Sequence, residues 1–492
     1  MDLPIVISKD LLVPLHRQLT DAVRDAITSG RLAAKQALPS TRELAESLSI
    51  SRRTVVRSYN DLTSQGYLET TFGGGTFVSR NPPIDCAPEA FQPAPTPIDN
   101  RCLSDFTKHI LRSNNEMVDF GNFEPLNFCA GPADLLPIKQ WRQVLSKYLA
   151  GGDVGQLDYV VDIAGFRELR EQLCQYLRRS KALRCDTEQI LAFADTFSCL
   201  DLTATTLINP GDSVVVENPG YIYARQLFEA HGAKVHALPV DEDGLIVEQL
   251  YNIREHCKLM LVTPSHHDPT GAVMSLPRRH SLLNWANDNC DFIVEDGFDS
   301  DYFYSSAPLP SLHGLDQSGK VIYIHNFWKL LYPLTAMGYL VIPHNFVDAF
   351  VQTKQHVNRF FSAAEQRVLA DFIREGHLER HWHKTRAIYK RRRQVVMFAL
   401  RQAFRNKVDF FGEGAGLHIT VRFDLPLSME QLSASADAAS FPMVSTMDYY
   451  ARDPVECEFL VPFCVIPEER AAELVALFAE HLNAKVALPV GV

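Results

Sequence analysis

Six prolines fall within sixteen positions of this chain: Pro82, Pro83, Pro88, Pro93, Pro95 and Pro97. Proline fixes φ and carries no amide hydrogen, so a stretch this rich in it can be neither helix nor central strand. Asn81 to Asn100 also lacks apolar periodicity and reads as a partly extended spacer. The chain therefore has to fold as separate units. Residues 11–80 are expected to form a small module, 81–118 a linker, and 119–485 a body large enough for an enzyme-sized core.

Composition narrows what those units can be. With 46% apolar and 22% charged residues among 492, the chain is not globally disordered. No apolar run approaches the roughly 18–20 residues of a membrane helix, and the start Met1-Asp2-Leu3-Pro4 lacks the pattern of a secretory signal. The 10 cysteines include no Cys-x-x-Cys pair, which predicts a reduced, cytoplasmic protein without a structural metal site. Net charge is −11, yet residues 1–80 hold 10 Lys+Arg against 8 Asp+Glu, leaving −13 on the remainder. An acidic total argues against nucleic-acid binding only when the charge is uniform, and here it is not.

Within the module, Leu15, Leu19, Val23 and Ile27 recur at helical spacing, and Gly30 stops that helix. Ser40 with Glu43 three residues on predicts a capping box for a second helix. A third begins at Ser51-Arg52-Arg53-Thr54 after a short turn. Gly66–Thr70 and Gly73–Val78 read as two strands around a glycine turn. Three helices and a hairpin make a winged helix-turn-helix. Its recognition helix would present Ser51, Arg52, Arg53 and Thr54 to base edges of duplex DNA, while Arg42 reaches phosphate and Gly75 lets the wing approach a groove. Leu38-Pro39-Ser40-Thr41-Arg42-Glu43-Leu44-Ala45, Ser51-Arg52-Arg53-Thr54-Val55 and Gly75-Thr76-Phe77-Val78 together resemble the GntR-type winged helix.

The body alternates helical stretches with β-branched runs such as Val214–Glu217, Leu259–Thr263, Phe292–Asp296 and Val321–Ile324, which predicts a parallel sheet. Asp268-Pro269-Thr270-Gly271 follows one strand, Asp296 ends the next, and Lys329 follows the last. A lysine can form a Schiff base and a carboxylate can hold a pyridinium proton. Further marks are Gly131-Pro132-Ala133-Asp134, Asp162-Ile163-Ala164-Gly165, Asn209-Pro210-Gly211-Asp212, Glu217-Asn218-Pro219-Gly220-Tyr221, Val262-Thr263-Pro264-Ser265-His266 and Gly414-Ala415-Gly416-Leu417-His418. With Lys329 and Asp296 these resemble the fold-type I aminotransferases, which use pyridoxal 5′-phosphate (PLP). Joined to the winged helix, the chain is similar to the MocR-type GntR regulators. The resemblance implies an α/β fold, Lys329 as Schiff-base lysine, Asp296 as pyridinium partner, and Tyr221 and Asp268 near the ring.

The departures from that pattern cluster. Ala194-Asp195-Thr196-Phe197 stands at the phosphate loop and puts a carboxylate where amide donors are needed. Asn326 replaces a hydroxyl three residues before the lysine, Trp328 a small residue, Ala336 an arginine, and Phe298 a tyrosine. Asp268 stands for an asparagine and can accept but not donate. Arg452 lies roughly where the family has an arginine for a substrate carboxylate, and Arg380–Arg393 is strongly basic, expected to be a solvated helix face.

The reading that results is a cytoplasmic, homodimeric regulator that binds double-stranded operator DNA. Its aminotransferase-like domain would sense an unidentified small-molecule effector and hold PLP weakly, with negligible transamination. The alternative is an active PLP-dependent aminotransferase with an accessory DNA-binding arm.

Overall fold

The computed structural model describes residues 7–8, 13–71, 75–83, 102–116, 131–150, 162–297, 300–304, 309–359 and 361–486. They form two compact units, residues 1–99 and 100–492. Gly73, Gly74, Phe298 and most of the Pro-rich stretch lie outside the described residues.

In the first unit, helices α1 (Leu15–Thr28), α2 (Thr41–Ser47) and α3 (Arg52–Ser64) precede strands β1 (Leu68–Thr71) and β2 (Gly75–Val78). Each helix buries one stripe: Leu19, Val23 and Ile27; Leu44 and Ala45; Val55, Tyr59 and Leu62. A fully buried side chain of this size is worth about 1.5–3 kcal/mol, so these few residues carry the module. The capping box forms: Ser40 Oγ accepts from Glu43 N at 3.3 Å and Glu43 Oε2 accepts from Ser40 N at 2.9 Å. Leu68 faces Val78 across the antiparallel hairpin, and Ala37 makes a single antiparallel bridge to Phe77. Tyr59 donates to Pro39 O at 3.0 Å, fixing the recognition helix to the segment that enters α2.

The second unit is built on eight strands in the order β3-β10-β9-β8-β7-β4-β5-β6. They are β3 (Ile190–Phe193), β4 (Ser213–Asn218), β5 (Lys234–Asp241), β6 (Gly244–Leu245), β7 (Cys257–Val262), β8 (Cys290–Asp296), β9 (Val321–Asn326) and β10 (Gly338–Val341). Strands β9, β8, β7, β4 and β5 run parallel, as expected from their apolar runs. The sheet is mixed because β10 lies antiparallel between β3 and β9. Alternate residues feed opposite faces: Tyr323, Tyr339 and Val341 join one core, Ile322, Ile324 and Leu340 the other. With both faces covered, the strands have to be apolar throughout. A second, antiparallel sheet of β11 (Val408–Phe411), β12 (Ile419–Phe423), β13 (Val444–Ser445) and β14 (Glu458–Val461) follows in the order β11-β12-β14-β13.

The basic segment lies in the helix His377–Phe404 and is not simply a solvated face. Arg380, His383, Lys384, Lys390 and Arg391 are exposed, but His381 and Arg392 are buried. His381 Nε2 lies 2.9 Å from Leu330 O, Arg392 donates to Cys464 O at 2.5 Å, and Arg386 to Phe303 O at 2.6 Å. These long side chains reach backbone carbonyls of distant segments, which helical spacing alone cannot reveal.

Candidate functional site

Two sites emerge, one in each unit. In the first, Ser51 caps α3: its Oγ accepts from Thr54 N at 3.1 Å and lies 2.8 Å from Thr54 Oγ1. The cap sets the first turn of the helix, where Arg52 and Arg53 stand exposed. Arg52 Nε donates to Thr41 Oγ1 at 3.3 Å, tying that guanidinium to the first residue of α2, beside exposed Arg42. Gly75 opens β2 with φ +100°, a backbone conformation that side chains rarely adopt, and among the described residues Phe77 lies 4.0 Å from a Cβ placed there. Arg57 is exposed one turn after Arg53 and on the same face. The i, i+4 spacing could have flagged it in the sequence.

In the second unit, the parallel strands bring their carboxyl ends to one edge, where open α/β sheets bind ligands. Asp296 ends β8 in register with Ile324 of β9. Two residues further on, β9 ends at Asn326, and the short helix Trp328–Leu331 carries Lys329. Lys329 Nζ lies 5.1 Å from the centre of the Trp328 ring. Tyr221 caps the helix Ile222–Ala230 after β4. Burial raises its hydroxyl pKa, and the charges of Asp296 and Asp268 raise it further, which places the three in one electrostatic neighbourhood. Burial likewise drives His266 well below the ordinary histidine range, helped by His418, His267 and Lys329.

Behind this edge sits a buried acid–imidazole pair. Glu217 Oε2 accepts from Thr263 N at 2.9 Å and from Thr263 Oγ1, and lies 3.5 Å from His267 Nε2. Burial pushes Glu217 up to about 8 and His267 down to about 3. Near neutral pH both are uncharged, so their proximity is a neutral contact and not a salt bridge. In the sequence Glu217 is only one letter of the Glu217-Asn218-Pro219-Gly220-Tyr221 motif, and nothing in one strand marks which carboxyl will be desolvated.

The opposite end of the site lies at the amino end of the helix Thr196–Leu207. Asp195 caps it, Oδ1 accepting from Ser198 N at 2.7 Å and Oδ2 from Ser198 Oγ at 3.0 Å. Asn326 Nδ2 donates to Thr196 Oγ1, while its Oδ1 accepts from Trp328 N at 2.8 Å. Gly338 closes the corner, since a Cβ there would stand 3.0 Å from Asp195 O and 3.2 Å from Thr196 N. The Ser198 amide and hydroxyl are engaged by Asp195, whose carboxylate occupies the helix end where a phosphate would sit. Ala336, two residues before Gly338, supplies no guanidinium.

Tested against PLP, the two ends disagree. Lys329, Asp296 and Tyr221 suit a pyridine aldehyde. The Asp195 end does not suit a dianionic phosphate, so the residues present do not fit the whole cofactor. Asp268 is buried with its neighbours. Arg452 is not part of this constellation: its guanidinium donates to Ala237 O of β5 at 2.9 Å and lines an outer cleft with Arg254 and Glu255. Only its backbone turns toward the site edge, where Arg452 O accepts from Asn218 Nδ2 at 3.1 Å.

The comparisons follow the same division. Residues 15–78 match the bacterial regulatory proteins of the gntR family, and residues 124–462 match aminotransferase class I and II. An uncharacterized HTH-type transcriptional regulator, YhdI of Bacillus subtilis (strain 168), is 32% identical over 89% of this chain and 89% of its own. The probable rhizopine catabolism regulatory protein MocR of Rhizobium meliloti is 31% identical over 91% of this chain and 90% of its own. Among solved structures, the kynurenine aminotransferase of Pyrococcus horikoshii matches with a TM-score of 0.67 at 24% identity, covering 78% of this chain and 95% of its own. That last likeness is one of fold.

Proposed function

The chain belongs to the MocR-type GntR regulators, which join a winged helix to an aminotransferase-like domain, and from this premise we propose how its two units divide the work. Residues 11–80 bind a duplex operator through Ser51, Arg52, Arg53 and Thr54 in the major groove, with Arg42 on phosphate and Gly75 in the wing. The observation that carries this is the capped amino end of α3, with both arginines exposed on a helix whose opposite face is the module's core. Residues 119–485 act as the effector-sensing and dimerising domain, with a degraded PLP site and negligible transamination.

A homodimer follows from symmetry, because two winged helices match an operator made of two half-sites. A Pro-rich spacer lets each module reach its own half-site. Retention of Lys329 and Asp296 supports some reaction with carbonyl compounds, but loss of charge-assisted phosphate contacts, each about 1.5–3 kcal/mol, argues against a tightly held cofactor. The test is selection from a random duplex library by the full chain. The expected result is enrichment of one sequence composed of two related half-sites. A pool that stays random overturns the reading.

A further inference from the structure

The ends of the site in the large unit make opposite demands on a ligand. At one end Lys329 offers an amine beyond β9, Asp296 ends the adjacent β8, and Tyr221 follows β4 two strands further on, where it feels the Asp296 charge. At the other, Asp195 holds the first turn of the helix Thr196–Leu207 with both carboxylate oxygens. A phosphate arriving there meets a carboxylate that already holds the Ser198 amide. The Thr196 hydroxyl beside it already accepts from Asn326 Nδ2. Position 336, where the family pattern has an arginine, is alanine.

We infer that this site takes carbonyl compounds that carry no phosphate, and that Asp195 is the residue that enforces the choice. The inference rests on the effector-sensing reading given above. An aldehyde or ketone that is neutral or cationic at its far end satisfies both ends, since the Asp195 carboxylate then attracts or ignores it. The chemistry at Lys329 needs no co-reactant. The neutral amine nitrogen bonds to the carbonyl carbon, and the carbonyl oxygen leaves as water with both amine hydrogens, giving an imine.

Pyridoxal and pyridoxal 5′-phosphate differ only at the discriminating end, so they are the probes. The full chain is titrated with each while its near-visible absorbance is followed, then treated with borohydride and the modified residue identified by mass. In the natural chain the phosphate ester is expected to bind no tighter than pyridoxal. Asp195→Gly combined with Ala336→Arg should tighten the phosphate ester about tenfold or more while leaving pyridoxal nearly unchanged. Asp195→Asn, which keeps a capping side chain and removes only the charge, should shift the preference the same way by less. That variant guards against a glycine that merely loosens the helix.

Tighter binding of the phosphate ester than of pyridoxal by the natural chain overturns the inference. So do Asp195 variants with an unchanged preference, and so does failure to trap either aldehyde on Lys329. Duplex selection by the same preparation reads the regulatory proposal separately: a chain that selects DNA but traps neither aldehyde loses this inference and keeps its DNA-binding role.

Discussion

The winged helix and the sheet edge of the large unit were built under different constraints. In the first unit the local signals that define the reading surface agree with the fold: helical stripes, a capping box, a capped recognition helix and a glycine at the one position of β2 with φ +100°. In the second, the fold is kept while one end of its site is rewritten. Lys329, Asp296 and Tyr221 match the family pattern, whereas Asp195, Asn326 and Ala336 depart from it. A sheet needs apolar strands and tolerates changes at its tips; a DNA-reading helix has its functional residues on the turn its cap defines.

That comparison can be sharpened through the buried pair that backs the sheet edge. Folded Glu217 titrates near 8 against an ordinary 4.5, so the folded state holds an extra proton between those values and stability falls as pH rises through them. His267, near 3 against 6.5, acts oppositely and only below 6.5. Above 6.5 Glu217 alone of the pair contributes, at about 1.4 kcal/mol per pH unit. Glu217→Gln keeps the acceptor for Thr263 and removes the titration. Urea midpoints of the large unit's transition at pH 6.5 and 8 should then converge in the variant while differing in the natural chain. Equal pH dependence in both would show that the carboxyl is not desolvated.

A smaller effect probes the other side of the comparison. Ser40→Ala removes the acceptor of the capping box at α2 and should cost the module about 1 kcal/mol, lowering its own melting transition by a few degrees without moving that of the large unit. A shift in both transitions would mean that the two units do not unfold independently.

The sequence was legible wherever physics is local. Ser40 and Glu43 announce their reciprocal bonds because the motif spans three residues, and the apolar runs of β4, β7, β8 and β9 announce a parallel sheet because burial on both faces leaves no other composition. The antiparallel insertion of β10 between β3 and β9 was not legible, since strand direction depends on a crossover and not on composition. Asp195 was readable as a misplaced charge, but its grip on Ser198 required coordinates. Arg452 and Arg392 failed as sequence readings for one reason: a long side chain chooses its partner from residues distant along the chain, here Ala237 and Cys464.

The central claim is that the capped arginines of α3 read sequence. Its most direct measurement is the affinity of the full chain for its selected duplex and for a scrambled one at fixed salt, before and after Arg52→Ala with Arg53→Ala. The account predicts a loss of about 1–3 kcal/mol per base contact on the selected duplex and a much smaller loss on the scrambled one, so that discrimination collapses. Discrimination that survives the double substitution unchanged would contradict it.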